Sequence, residues 1–144
     1  MNRRLIPALL LIGSLSFGQA EKSDEEVAAR KNALELAGAF TNDGFKIRDG
    51  YWSGPIKVGV SKLIQVNLYA GNEYYFSVAG TEKAKKMALG VYDETGAAIT
   101  IEEPYQEGVT AAVGFSPTAS GPYYLKVEEL EGEPTGFCLV CSYK

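Results

Sequence analysis

The chain reads as an all-β protein, an antiparallel sandwich or barrel of about eight strands preceded by one helix. Three observations carry that reading. From Phe45 onward apolar residues recur at every second position, the period of a strand packed on one face. Turn-forming clusters separate these runs at intervals of roughly 8–14 residues, the spacing of short strands in closed or two-layered sheets. Ahead of Phe45 the pattern is helical and carries its own start and stop signals.

The N-terminus comes before both. Met1-Asn2-Arg3-Arg4 precedes an apolar run from Leu5 to Phe17 and then Gly18-Gln19-Ala20. A positive end, a short apolar core and small residues beside the scissile bond are the parts of a secretory signal peptide, with cleavage expected after Ala20. The run falls short of the roughly twenty residues that a spanning helix needs, and Pro7 and Gly13 interrupt it. No cysteine follows it to carry a lipid. Residues 21–144 are therefore expected in the periplasm or outside the cell, with no membrane anchor. Loss of Arg3 and Arg4 takes the net charge from −4 to −6. An acidic chain of this kind is a poor partner for the phosphate backbone of a nucleic acid. Lys83, Lys85 and Lys86 form its basic cluster, read as a solvated loop.

Residues 21–44 form a helix and its closing turn. Ser23-Asp24-Glu25-Glu26 has the spacing of a capping box, and Thr41-Asn42-Asp43-Gly44 is a cluster of turn formers. The helix is expected from about Asp24 to Ala39. Its apolar face is thin, so docking is assigned to Val27, Leu34 and Phe40, the alternative being a mobile extension.

Residues 45–144 supply the strands. Ile64, Val66 and Leu68 point one way, as do Tyr74, Phe76 and Val78, then Met87, Leu89 and Val91. Ala111, Val113 and Phe115 follow, then Tyr123, Leu125 and Val127, and finally Phe137, Leu139, Cys141 and Tyr143. A three-residue loop at Gly71–Glu73 would pair Leu68 with Phe76 and Val66 with Val78, keeping both apolar sets on one face. The alternative is a turn that crosses between two sheets.

Four pieces in this region occur in a recognisable order: Leu68 to Val78, Leu89 to Gly96, Phe115 to Val127, and Gly136-Phe137-Cys138-Leu139. Together they resemble the bacterial pre-peptidase C-terminal domain family. The resemblance implies a jelly-roll-like β-sandwich on a secreted protein, acting as a non-catalytic accessory module. Lys86 and Ala88 stand where the family carries two aspartates, which weakens any acidic or calcium-related role. The family module also usually trails a large enzyme, whereas here it follows a single helix.

Chemistry is narrowed by what the composition lacks. The chain has no histidine, which removes His-activated nucleophiles, His general bases and the commonest zinc ligand. Two cysteines do not close a structural zinc site, and no phosphate loop or EF-hand spacing is present. No cofactor is expected. A two-carboxylate hydrolase needs only paired acids, but Asp93, Glu94, Glu102, Glu103, Glu128, Glu129, Glu131 and Glu133 fall mainly in turns and polar stretches, so enzymatic activity is not expected. Cys138-Leu139-Val140-Cys141 has redox spacing, yet a redox pair needs a helix N-terminus. On a strand the two side chains point to opposite faces, beyond disulfide reach. Cys141 is assigned to the core and Cys138 to the outside.

Aromatic residues are the remaining candidates for binding. Tyr51 and Trp52 lie between turn formers, and Tyr69, Tyr75 and Tyr124 are outward in the alternation. These five would offer a platform to sugar rings or a peptide; Trp52 has the second reading of a plug at one end of the core. Two functions follow. One is a module binding a glycan, a surface polymer or an exported protein. The other is an assembly subunit acting through its helix or a sheet edge.

Overall fold

The computed structural model describes residues 23–144; the expected signal peptide, residues 1–20, lies outside the described residues. Helix α1 spans Asp24–Ala39. Ser23 Oγ accepts from the Glu26 N–H at 3.2 Å, and the Glu26 carboxylate accepts from the Ser23 N–H at 3.1 Å. The capping box therefore forms, and it satisfies two backbone donors at the helix start. A 3-10 turn, Thr41–Asp43, and Gly44 at φ 90° close the segment, a conformation that glycine adopts without a Cβ penalty.

Ten strands follow rather than eight. They are β1 (Lys46–Ile47), β2 (Trp52–Ile56), β3 (Lys62–Leu68), β4 (Tyr74–Ala79), β5 (Ala84–Tyr92), β6 (Ala98–Ile99), β7 (Tyr105–Glu107), β8 (Thr110–Phe115), β9 (Gly121–Gly132) and β10 (Thr135–Tyr143). The difference lies in short strands such as β1 and β6, two residues each, too brief to show an alternation. In one sheet the order is β1-β10-β4-β8-β7, with β2 also on β10; in the other it is β3-β9-β5-β6. All the pairings are antiparallel. The core lies between the two sheets. Phe76, Val78, Val113 and Leu139 from one sheet meet Val66, Leu68, Met87, Leu125 and Val127 from the other. Tyr143, assigned to the same face, is exposed at the strand end.

The β3–β4 connection takes the crossing route. β3 pairs with β9, while β4 pairs with β10 and β8, so Leu68 does not pair with Phe76. Their apolar faces still meet, across the core instead of side by side; alternation does not distinguish the two arrangements. Tyr74 pins the crossing, its hydroxyl accepting from the Tyr69 N–H at 2.9 Å and the Asn72 side-chain amide at 3.2 Å.

The helix docks through a different stripe from the one expected. Ala29, Ala33 and Ala37 are fully buried against Ala79, Cys138 and Val140 on the outer face of the larger sheet. Val27 is 56% exposed. Leu34 touches the rim of this contact, and Phe40 stacks on Tyr75 at 3.9 Å between ring centroids. Small residues on both surfaces let the helix lie close to the sheet. The approach is tightest at Gly136, where a Cβ would stand 2.8 Å from the Glu26 backbone nitrogen. Cys138 is corrected by the same packing. It does point away from the core shared by the sheets, but the helix covers that face and buries it completely. Cys141 is buried on the inner face, and the two form no bond with each other.

Candidate functional site

Among the described residues, α1 covers the larger sheet, and the outer face of the smaller sheet is the broad sheet surface left open. Its strands alternate around core residues Val66, Val91 and Leu125, which turns their neighbours outward. The register then sets these outward residues in rows. Tyr124 stands between Gln65 and Tyr92, and Lys126 stands between Leu63 and Gly90. Tyr92 lies over Gly90, close enough that a Cβ there would meet its ring at 3.4 Å. These rows form a groove of about 570 Å³ lined by Ser61, Leu63, Tyr92, Tyr124, Lys126 and the turn Glu94–Gly96. Leu63 is 67% exposed, whereas Tyr92 and Tyr124 are half-buried.

One wall of the groove is held by local chemistry. Asp93 Oδ1 accepts from the Thr95 hydroxyl at 2.6 Å, the Thr95 N–H at 2.9 Å and the Ala97 N–H at 3.0 Å. The Thr95 hydroxyl first, and then the backbone donors, hold the Asp93 carboxyl below its usual value. Lys126, which lines the groove, pairs with Glu128 just outside it, Nζ to Oε1 at 2.7 Å. The Glu128 carboxylate holds the Lys126 ammonium above the ordinary lysine value, with a smaller contribution from Tyr92. The surface therefore combines ring faces, an amide, an ammonium and a carboxylate within three adjacent rows. Such a surface can receive a flat, hydroxyl-rich ligand with one apolar side.

The five aromatic candidates do not form one platform. Tyr124 alone lines the groove. Trp52 belongs to β2, opposite Leu139, and packs half-buried against the inner core. Tyr51 sits at the edge of the helix contact with the Arg30 guanidinium 4.4 Å from its ring centroid. Tyr75 is under Phe40 and edge-on to Phe45; burial first, and Asp43 second, raise its phenol. Tyr69 is 61% exposed beyond the end of β3. Tyr92 was not among the candidates, although its alternation with Val91 already turned it outward. Its place beside Tyr124 follows from the β5–β9 register, which joins segments far apart in the chain.

A second concavity, about 420 Å³, lies at one end of the sandwich between Asp93–Thr95 and the 115–123 segment. Its aromatic residues, Phe115 and Tyr123, are turned toward the core and each other. It offers a ligand mainly loop backbone and small side chains. Among the acids, Glu129 departs from the expected surface position. It is 2% exposed on the inner side of β9, with neither carboxylate oxygen hydrogen-bonded. In comparisons with known proteins, no family model and no curated protein matches the chain.

Proposed function

We propose that the protein is an exported, non-catalytic binding module that holds a glycan against Tyr92 and Tyr124. The observation that carries this reading is the cross-strand pair Tyr92–Tyr124 on the open sheet face, next to Gln65 and Lys126, with Glu128 held by Lys126. A pyranose presents C–H groups on one face and hydroxyls around its rim. The rings meet the first and the polar side chains the second. The groove's ammonium is tied to the Glu128 carboxylate beside the groove, an arrangement suited to recognition rather than proton transfer. The resemblance of residues 63–143 to pre-peptidase C-terminal domains supports an accessory role, and the signal-like leader supports export.

The test is a glycan array followed by NMR titration with the sugars that bind. Tyr124→Ala and Tyr92→Ala should each weaken binding about tenfold, roughly 1.4 kcal/mol for one stacked ring. Tyr51→Ala, on the helix side, should leave it unchanged. Binding that perturbs neither groove tyrosine, or that survives both groove substitutions, defeats this reading.

One observation favours an assembly role instead. β3 ends the order of its sheet, seven residues long, with β9 on one side only, and such an edge accepts another strand. Self-association that grows with concentration and is abolished by Ile64→Pro would support this second function.

A further inference from the structure

Glu129 is the one acidic side chain facing the inner layer on β9, in line with Leu125 and Val127 and opposite Met87. Beyond Val127, β9 loses β3 as a neighbour, because β3 begins at Lys62 opposite Val127. The 57–61 segment takes that place, and with residues 128–130 it lines a cavity of about 360 Å³. All five of its residues are exposed. It is closed on itself by the Val60 N–H donating to the Lys57 carbonyl at 3.1 Å, with Gly59 at φ 85°.

We propose that Glu129 is a proton-controlled latch for the 57–61 loop, which stays down while the carboxyl is protonated and lifts when it ionises. A neutral carboxyl is tolerable on an apolar face; an ionised one needs several hydrogen bonds. Burial raises its titration, and the Val58 backbone N–H opposes this without closing a hydrogen bond. One such donor does not satisfy two carboxylate oxygens. Charged groups on the surrounding elements supply no partner either. Lys57 opens the loop and Lys62 follows it, Lys85 and Lys86 lie near the start of β5 with Glu82 and Lys83 before it, Glu128 and Glu131 lie on either side of Glu129 along β9, and Glu133 lies just past its end. Of these, Lys83 pairs with Glu25, and Glu128 pairs with Lys126. Water entering from the loop side is the remaining source of hydrogen bonds.

The latch reaches the groove directly. Ser61 and Lys126 line both the cavity beside Glu129 and the tyrosine groove, so lifting the loop moves the Ser61–Leu63 end of that groove. This consequence for binding rests on the proposed function; the latch does not, and it is tested without a ligand. The experiment follows 15N relaxation across residues 57–61, and Val60 amide exchange corrected for intrinsic rate, from pH 4.5 to 8.5. A carbon-detected titration of the Glu129 carboxyl runs in parallel. The latch requires Glu129 to titrate above ordinary glutamates and Val60 protection to fall at least fivefold across that same transition. Glu129→Gln should keep the loop closed throughout, and Glu129→Met serves if the glutamine variant does not fold. A loop indifferent to pH, a loop that tightens as pH rises, an unchanged response in the variant, or an ordinary Glu129 titration each overturns the proposal.

Discussion

Replacing Gly136 with alanine tests how the helix is held, because the added methyl would meet helix backbone rather than a movable side chain. Its Cβ would lie 2.8 Å from Glu26 N and 2.9 Å from Glu25 C, so the first turn of α1 must shift. Overpacking of this kind costs about 1–3 kcal/mol. The dock it acts on is modest. Three buried alanine methyls contribute about 2–3 kcal/mol at roughly 0.8 each. The Asn32 side-chain amide donates to the Gly80 carbonyl at 3.0 Å, worth about 1 kcal/mol net. The Phe40–Tyr75 stack adds about 1 kcal/mol. The strain is thus a sizeable share of a dock of about 4–5 kcal/mol, on the same scales. It raises the population of the helix-open state by roughly five- to 150-fold. Cys138 reports that state, since the helix buries it, whereas Cys141 faces the core. In maleimide labelling resolved by mass spectrometry, Gly136→Ala should speed modification of Cys138 by that factor and leave Cys141 nearly inert. Equal acceleration at both cysteines would mean global unfolding, and no acceleration would mean that the close approach carries no strain; either result refutes the reasoning.

Other perturbations read the core and its charges. Leu125→Ala, at a fully buried position, should lower unfolding free energy by about 2–5 kcal/mol in urea melts. Trp52→Ala should cost about 3 kcal/mol, the low end for a large aromatic because the ring is only half-buried. Its fluorescence, from the single Trp of the chain, should be quenched only weakly by iodide. Because burial raises the Glu129 carboxyl above its ordinary value, the folded state binds the proton more tightly than the unfolded one. Its contribution is therefore complete below the ordinary glutamate range and is lost as pH rises through the folded value. Urea melts at stepped pH should show Glu129→Gln gaining on the parent chain above that point, and a constant difference would contradict it.

Local pattern was enough for much of the architecture. The capping box at Ser23 and the turn at Thr41–Gly44 bounded the helix, because those signals lie within a few residues of the backbone groups they satisfy. Alternation assigned Val66, Phe76, Val91, Val113, Leu125 and Leu139 to the buried side, because strand geometry turns every second side chain the same way. The same rule turned Tyr124 outward and carried the mean for finding Tyr92. Tertiary structure decided what covers each outward face and which strands become neighbours. An alanine stripe carries little hydrophobic signal, so the docking of α1 over Ala79, Cys138 and Val140 was hidden, and with it the burial of Cys138. Alternation is equally satisfied by pairing or by opposition, so the crossing between β3 and β4 was settled by packing. The Tyr92–Tyr124 pair and the enclosure of Glu129 depend on contacts between segments more than thirty residues apart. Periodicity describes each strand against its own axis; only the register between strands brings two such faces together.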